Sequence, residues 1–154
     1  MPPCGLKMGQ TYTQLLIHLV FATKDRQKDL TARVRPELYR YLVALARQKE
    51  TEVLALAGGL EHVHLLVSIP PKLSISELMQ FLKANSSRWI RARFNPHFAW
   101  QGGYAAFSVS KSKQAEVCDY LSRQETHHQR TGFEEEYRSL LLRNEIHFEN
   151  ERLW

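Results

Sequence analysis

Glu61-His62-Val63-His64-Leu65-Leu66-Val67 places two histidines two residues apart in a run of β-forming residues. In a strand, side chains at i and i+2 share a face, so His62 and His64 can turn two imidazoles toward one metal ion while Val63 turns into the core. Histidine-X-histidine is a weak motif that also fits an ordinary strand with two surface histidines. A second group lies in the segment 114–128, where Tyr120 and Gln124 stand at i and i+4. If that segment is helical they share a face, setting a potential nucleophile beside a potential third metal ligand. His127 and His128 follow Gln124 at three and four residues and are alternative ligands.

The chemistry such groups could perform is attack on a phosphodiester. A divalent cation polarises the phosphate and fixes it in line. Two imidazoles and an amide oxygen form a neutral set that leaves positions open for substrate and water, and that suits Mg²⁺ or Mn²⁺. Tyrosine has an unperturbed pKa of about 10, yet it can form a covalent phosphotyrosyl bond that stores the energy of a broken strand.

The elements that must position these residues can be read from periodicity. Residues 12–23 suit a central strand, and residues 31–49 a helix with Val34, Leu38, Tyr41, Leu42 and Leu45 on one face and Pro36 in an early turn. Residues 52–57 and 62–69 read as strands joined at Gly58-Gly59, the second ended by Pro70-Pro71. Ser74 or Ser76 can cap the next helix, whose Ile75, Leu78, Met79, Leu82, Trp89 and Ile90 form an apolar stripe. A fourth strand at 104–109 and helices at about 114–130 and 133–143 complete an α+β, ferredoxin-like β-α-β-β-α-β order with extra C-terminal helices. Residues 1–154 are expected to form a single domain, with a core over about 12–110 and a helical part over about 111–154.

These blocks in this order resemble the single-tyrosine HUH transposases of small bacterial insertion sequences. The resemblance is carried by His18-Leu-Val-Phe-Ala-Thr-Lys24-Asp-Arg26, the His62/His64 strand with its Ser-Ile-Pro-Pro71 end, and Leu82-Lys83-Ala-Asn-Ser-Ser-Arg88. It continues in Trp100-Gln-Gly-Gly-Tyr104-Ala-Ala-Phe-Ser-Val-Ser110, in Tyr120 with Gln124, and in an acidic-aromatic tail. It implies His62 and His64 as metal ligands, Gln124 as the third ligand, and Tyr120 as a nucleophile that forms a 5′-phosphotyrosine and frees a 3′-OH. It also implies a homodimer acting on single-stranded or hairpin DNA, with the Tyr120 helix of one subunit crossing to the histidine pair of the other.

Charge fits a polyanionic partner. Residues 132–154 hold 3 Lys/Arg against 6 Asp/Glu, so residues 1–131 carry a net +8 against +5 for the whole chain. Lys83, Arg88, Lys111, Lys113 and Arg123 are candidate DNA contacts, with solvated faces the alternative for Lys83 and Arg88. Trp100, Tyr104 and Phe107 are candidates to stack on unpaired bases, Phe107 being better placed for the core. His18, among apolar neighbours, reads as a hydrogen-bonded structural histidine, and His97 and His147 as structural or exposed. Cys4 and Cys118 share no metal-ligand spacing, Cys118 reading as a buried helix residue. With no membrane-length apolar run and no apolar signal core, a cytoplasmic protein is expected. Two other functions compete with a DNA strand-transfer enzyme: a non-catalytic nucleic-acid-binding ferredoxin-like module and a metal-binding structural domain.

Overall fold

The computed structural model describes residues 9–124 and 132–153. Four strands, β1 (Leu16–Ala22), β2 (Glu52–Gly58), β3 (His62–Ser68) and β4 (Ala105–Val109), form one sheet in the order β2-β3-β1-β4, each neighbouring pair antiparallel. Helices α1 (Arg35–Gln48) and α2 (Ile75–Arg93) make the two crossovers. The expected ferredoxin-like α+β order is therefore present, and α3 (Gln114–Ser122) and α4 (Phe133–Arg143) follow it.

Period-2 alternation divides the central strands between two covered faces. Leu19, Phe21, Val63, Leu65 and Val67 join the large core under α1 and α2, which contribute Leu38, Leu42, Leu45, Leu78, Met79, Leu82 and Ile90. The opposite face is also covered. Leu16 and Leu66 pack with Leu121 of α3, and Val20, Ala22, Ala105 and Phe107 pack with Phe133 and Leu141 of α4. A strand buried on both faces reads as a near-continuous apolar run, which is how Leu65-Leu66-Val67 reads.

Element boundaries follow local chemistry. Pro36 stands in the first turn of α1, where its missing N–H costs nothing. Ser74, rather than Ser76, caps α2 by accepting from the Glu77 N–H at 3.1 Å. Strand β1 starts at Leu16, later than expected at residue 12. Leu16 is paired with Ser68 and Val109, the last residues of β3 and β4; beyond it the Ile69 N–H donates to the Leu15 carbonyl at 3.0 Å, and Tyr12 is exposed. The Gly58-Gly59 turn closes with Gly59 N–H donating to the His62 carbonyl at 3.1 Å. A Cβ on Gly58 would overlap that carbonyl oxygen and come 2.9 Å from Tyr39 Oη, so the close approach at the start of β3 requires glycine.

The single helix expected over 114–130 is interrupted. Arg123 leaves helical geometry (φ −99°, ψ 10°) and closes α3 by donating its N–H to the carbonyl of Tyr120. His127 and His128, the alternative ligands, lie outside the described residues, as does Cys4. Among the described residues no helix is long and apolar enough to cross a membrane.

Candidate active site

Strand register builds the site. His62 and His64 point to the α3/α4 face while Val63 enters the main core, as the i, i+2 spacing requires. Val20 is opposite His64 and His18 opposite Leu66, which makes His18 and His64 diagonal neighbours on one face. The pair is not on an open surface. Both His62 and His64 have 0% exposure. Each strand face needs a partner layer, and α3 and α4 supply it here.

Phe133, the first residue of α4, stacks on His62 with ring centroids 4.0 Å apart and planes inclined by 10°. One turn later Glu136 Oε1 stands 2.8 Å from His64 Nε2, with the carboxylate 3% exposed. His64 Nδ1 is engaged by His18 Nε2 at 2.9 Å. Burial, and secondarily the neighbouring His64, lower the pKa of His18 to about 3 against a small upward pull from Glu136, so His18 is neutral. Glu61 Oε1 lies 4.0 Å from His62 Nδ1. Ligand atoms of His62, His64 and Glu136 all lie within 4.8 Å of one another, close to the span of about 4.2 Å allowed for atoms sharing one ion at about 2.1 Å. Two imidazoles and a carboxylate at this spacing fit a divalent transition-type cation.

Tyr120 reaches the same place. Its ring centroid is 6.2 Å from that of His64 and 6.5 Å from that of His18 within one chain. Burial and the charge of Glu136 raise the phenol's pKa well above its ordinary value, and a hydrogen bond with Gln124 and the charge of Arg143 act in the opposite direction. Gln124 is buried at 1% exposure, with its carboxamide at the Tyr120 hydroxyl.

The structure thus gathers His62, His64, Tyr120 and Gln124, and adds Glu136. Only the acidic run Glu134-Glu135-Glu136 at the start of a helix hinted at it. Glu136 is 72 residues from His64, too far for any local periodicity to pair them.

The candidate DNA contacts are divided. Lys111 and Lys113 precede α3 and Arg123 ends it, all exposed; Lys111 bonds Gln114, while Lys113 and Arg123 pair with Glu116 and Asp119. Lys83 and Arg88 belong to α2, across the sheet from the histidines. Arg88 is exposed. The Lys83 ammonium instead donates to the carbonyls of Gln101 and Gly103, at 2.6 and 2.7 Å, and braces the loop before β4. Of the three aromatic candidates, Trp100 and Phe107 are buried, Trp100 donating to Ser86 Oγ, and Tyr104 is exposed. Cys118 is half-buried on α3 rather than fully buried, and His97 and His147 are exposed.

Comparison with known proteins places this arrangement. Residues 11–124 match the family described as "Transposase IS200 like", a span that contains both histidines, Tyr120 and Gln124 and stops before Glu136. The transposase for insertion sequence element IS200 of Salmonella typhimurium is 32% identical over 115 residues, 70% of this chain and 74% of that protein. The ISDra2 transposase TnpA of Deinococcus radiodurans is 28% identical over 130 residues, covering 79% and 93%. The crystal structure of a Deinococcus radiodurans protein described as a transposase superposes with a TM-score of 0.62 at 31% identity, over 77% of this chain and 98% of that one. A REP-associated tyrosine transposase bound to a REP hairpin shares the fold, with a TM-score of 0.60 at 16% identity over 79% and 73%. With the match running through most of its length, the chain belongs to the IS200-like transposase family.

Proposed function

We propose that this transposase cuts and rejoins single-stranded DNA, in the cytoplasm, through a covalent 5′-phosphate link to Tyr120. The observation that carries the reading is the meeting of Tyr120 with a buried His62, His64 and Glu136 cluster in a chain of this family. His62 and His64 would hold a divalent ion, Mg²⁺ or Mn²⁺, with Gln124 or Glu136 as third ligand. When bound, the ion supplies charge neutralisation and in-line orientation of the scissile phosphate.

The chain's own residues supply the rest. Tyr120 Oη attacks phosphorus, the P–O3′ bond breaks, and the 3′ oxygen leaves and is protonated to a free 3′-OH. Because ionisation of the phenol is disfavoured in this setting, its proton must leave as the bond to phosphorus forms. Glu136, already hydrogen-bonded to Tyr120, is the acceptor proposed for it. The bond energy is kept in the phosphotyrosyl link, so the reverse attack by a 3′-OH reseals a strand without ATP.

Hairpin or single-stranded DNA is the proposed partner. Lys111, Lys113 and Arg123 around α3 are the phosphate contacts nearest Tyr120, and Arg88 a more distant one. Strands β2 and β4 leave sheet edges, and pairing of two copies at such an edge would form a homodimer. With one Tyr120 per chain, two DNA ends need two subunits.

Covalent capture tests the reading. The protein is incubated with Mn²⁺ and a hairpin strand from the flanks of its own gene, labelled on the 3′ side of the cut. A denaturation-resistant labelled adduct is expected with the wild-type chain and not with Tyr120→Phe. Equal adduct in the variant removes Tyr120 from the role, and no adduct in either removes the mechanism.

A further inference from the structure

We propose that His18 is a positioning residue for His64, fixing which of its ring nitrogens can face a metal ion. The inference rests on the reading of His64 as a ligand. Neutral imidazole has one N–H donor and one lone-pair acceptor. His64 Nε2 lies 2.8 Å from the Glu136 carboxyl group; an ionised carboxylate only accepts, and with Glu136 ionised Nε2 carries the proton. His64 Nδ1 is then the acceptor, and His18 Nε2–H donates to it at 2.9 Å. With Nδ1 occupied, only Nε2 can be offered to a cation, and it points to the side where His62 and Glu136 lie.

Binding at Nε2 needs the lone pair there. The His64 proton then belongs on Nδ1, where it needs an acceptor. His18 meets both requirements because imidazole can reverse its role: His18 Nε2 donates in one state and accepts in the other, its own proton moving to Nδ1. The number of protons on the His18/His64 pair is unchanged. A purely donating side chain at this position would block the second state, and an apolar one would leave a buried nitrogen unpaired in both.

The surroundings hold His18 to this task. Its ring is stacked near that of His64, with centroids 5.1 Å apart and planes inclined by 22°, and it is flanked by Phe107 at 5.9 Å and Tyr120 at 6.5 Å. The diagonal register of β1 on β3 sets the approach. A partner that orients a ligating histidine through its second nitrogen typically contributes about 10- to 100-fold to metal affinity.

Two measurements test the proposal. In ¹⁵N-labelled metal-free protein, imidazole nitrogen spectra should show both His18 and His64 as Nε2–H tautomers, with His64 changing to Nδ1–H on saturation with Zn²⁺. By calorimetry, His18→Phe should weaken Mn²⁺ binding about 10- to 100-fold, while His18→Gln, which can either donate or accept, should retain most of the affinity. Thermal unfolding verifies that each variant is folded. Unchanged Mn²⁺ affinity in folded His18→Phe, or an Nδ1–H tautomer of His64 in the metal-free protein, overturns the proposal. If the wild-type chain binds neither ion, the metal reading of His64 fails instead, a result separate from the tautomer measured without metal.

Discussion

Replacing His18 by glutamine should flatten the acid limb of the protein's stability curve. His18 has a pKa near 3 in the folded chain, held there by burial and by His64, against 6.5 when unfolded. A depressed pKa means that the unfolded chain takes up the proton first as pH falls. The contribution of neutral His18 is therefore intact above about pH 6.5 and is lost progressively as pH falls toward 3. Applying the linkage relation with those two values gives a loss of roughly 3 kcal/mol by about pH 4. That is a large part of the 5–15 kcal/mol stability typical of a domain.

Urea unfolding of both proteins in chelator, at about pH 7.5 and about pH 4, isolates this contribution. Every other group is common to the two proteins, so the difference between the two pH-dependent losses belongs to position 18 and its coupling to its neighbours. The wild-type chain should lose roughly 3 kcal/mol more than His18→Gln over that interval. Parallel losses would show that the buried imidazole does not carry the acid sensitivity and would refute the assignment of a neutral His18.

Gly58→Ala should cost about 1–3 kcal/mol in urea unfolding, because its Cβ overlaps the His62 carbonyl oxygen, and the His62 ring resonances should shift. No change in either would mean that the β2/β3 turn yields without disturbing β3. Lys83→Met should speed hydrogen exchange in the loop before β4, since two carbonyls lose their donor. It should leave the salt dependence of hairpin binding unchanged, whereas loss of a true phosphate contact would reduce the slope by about 1.

The order of elements was legible because amphipathic period and punctuation coincide. Ser74 precedes Glu77 at capping distance, Pro70-Pro71 stops β3, and glycine marks the β2/β3 turn. The shared face of His62 and His64 was legible for the same reason, since a strand's period is short and fixed. What covers that face was not legible. Periodicity gives the direction in which a side chain points, while the helix that meets it depends on a chain return of dozens of residues, here 72 from His64 to Glu136. The contacts of Lys83 were not legible for a related reason. It adjoins Leu82 at the edge of the apolar stripe of α2, and its long stem carries the ammonium past that edge to the carbonyls beyond. A basic residue on a helix reads as a phosphate contact until the loop packed against it is known.

The placement of α4 has consequences for how the site works. Its first turn supplies Phe133, which stacks on His62, and Glu136, which engages both His64 and Tyr120. Together with α3, this element covers the histidine pair, and its Glu136 adds to the burial that raises the pKa of the Tyr120 phenol. On the proposed function, a phosphodiester would meet His62 and His64 only with α4 displaced, and that displacement would separate the Glu136 carboxylate from the phenol unless Glu136 followed the ion as a ligand. The anchors to be broken are Phe133 and Leu141, both buried, with Tyr137 and Leu140 partly so. At about 1.5–3 kcal/mol for each fully buried side chain, undocking costs several kcal/mol. Binding of DNA and the ion must offset that sum. On the same proposed function, such a balance would favour the covered arrangement in the absence of substrate and would tie activity to Glu136, which lies beyond the span matched to the family.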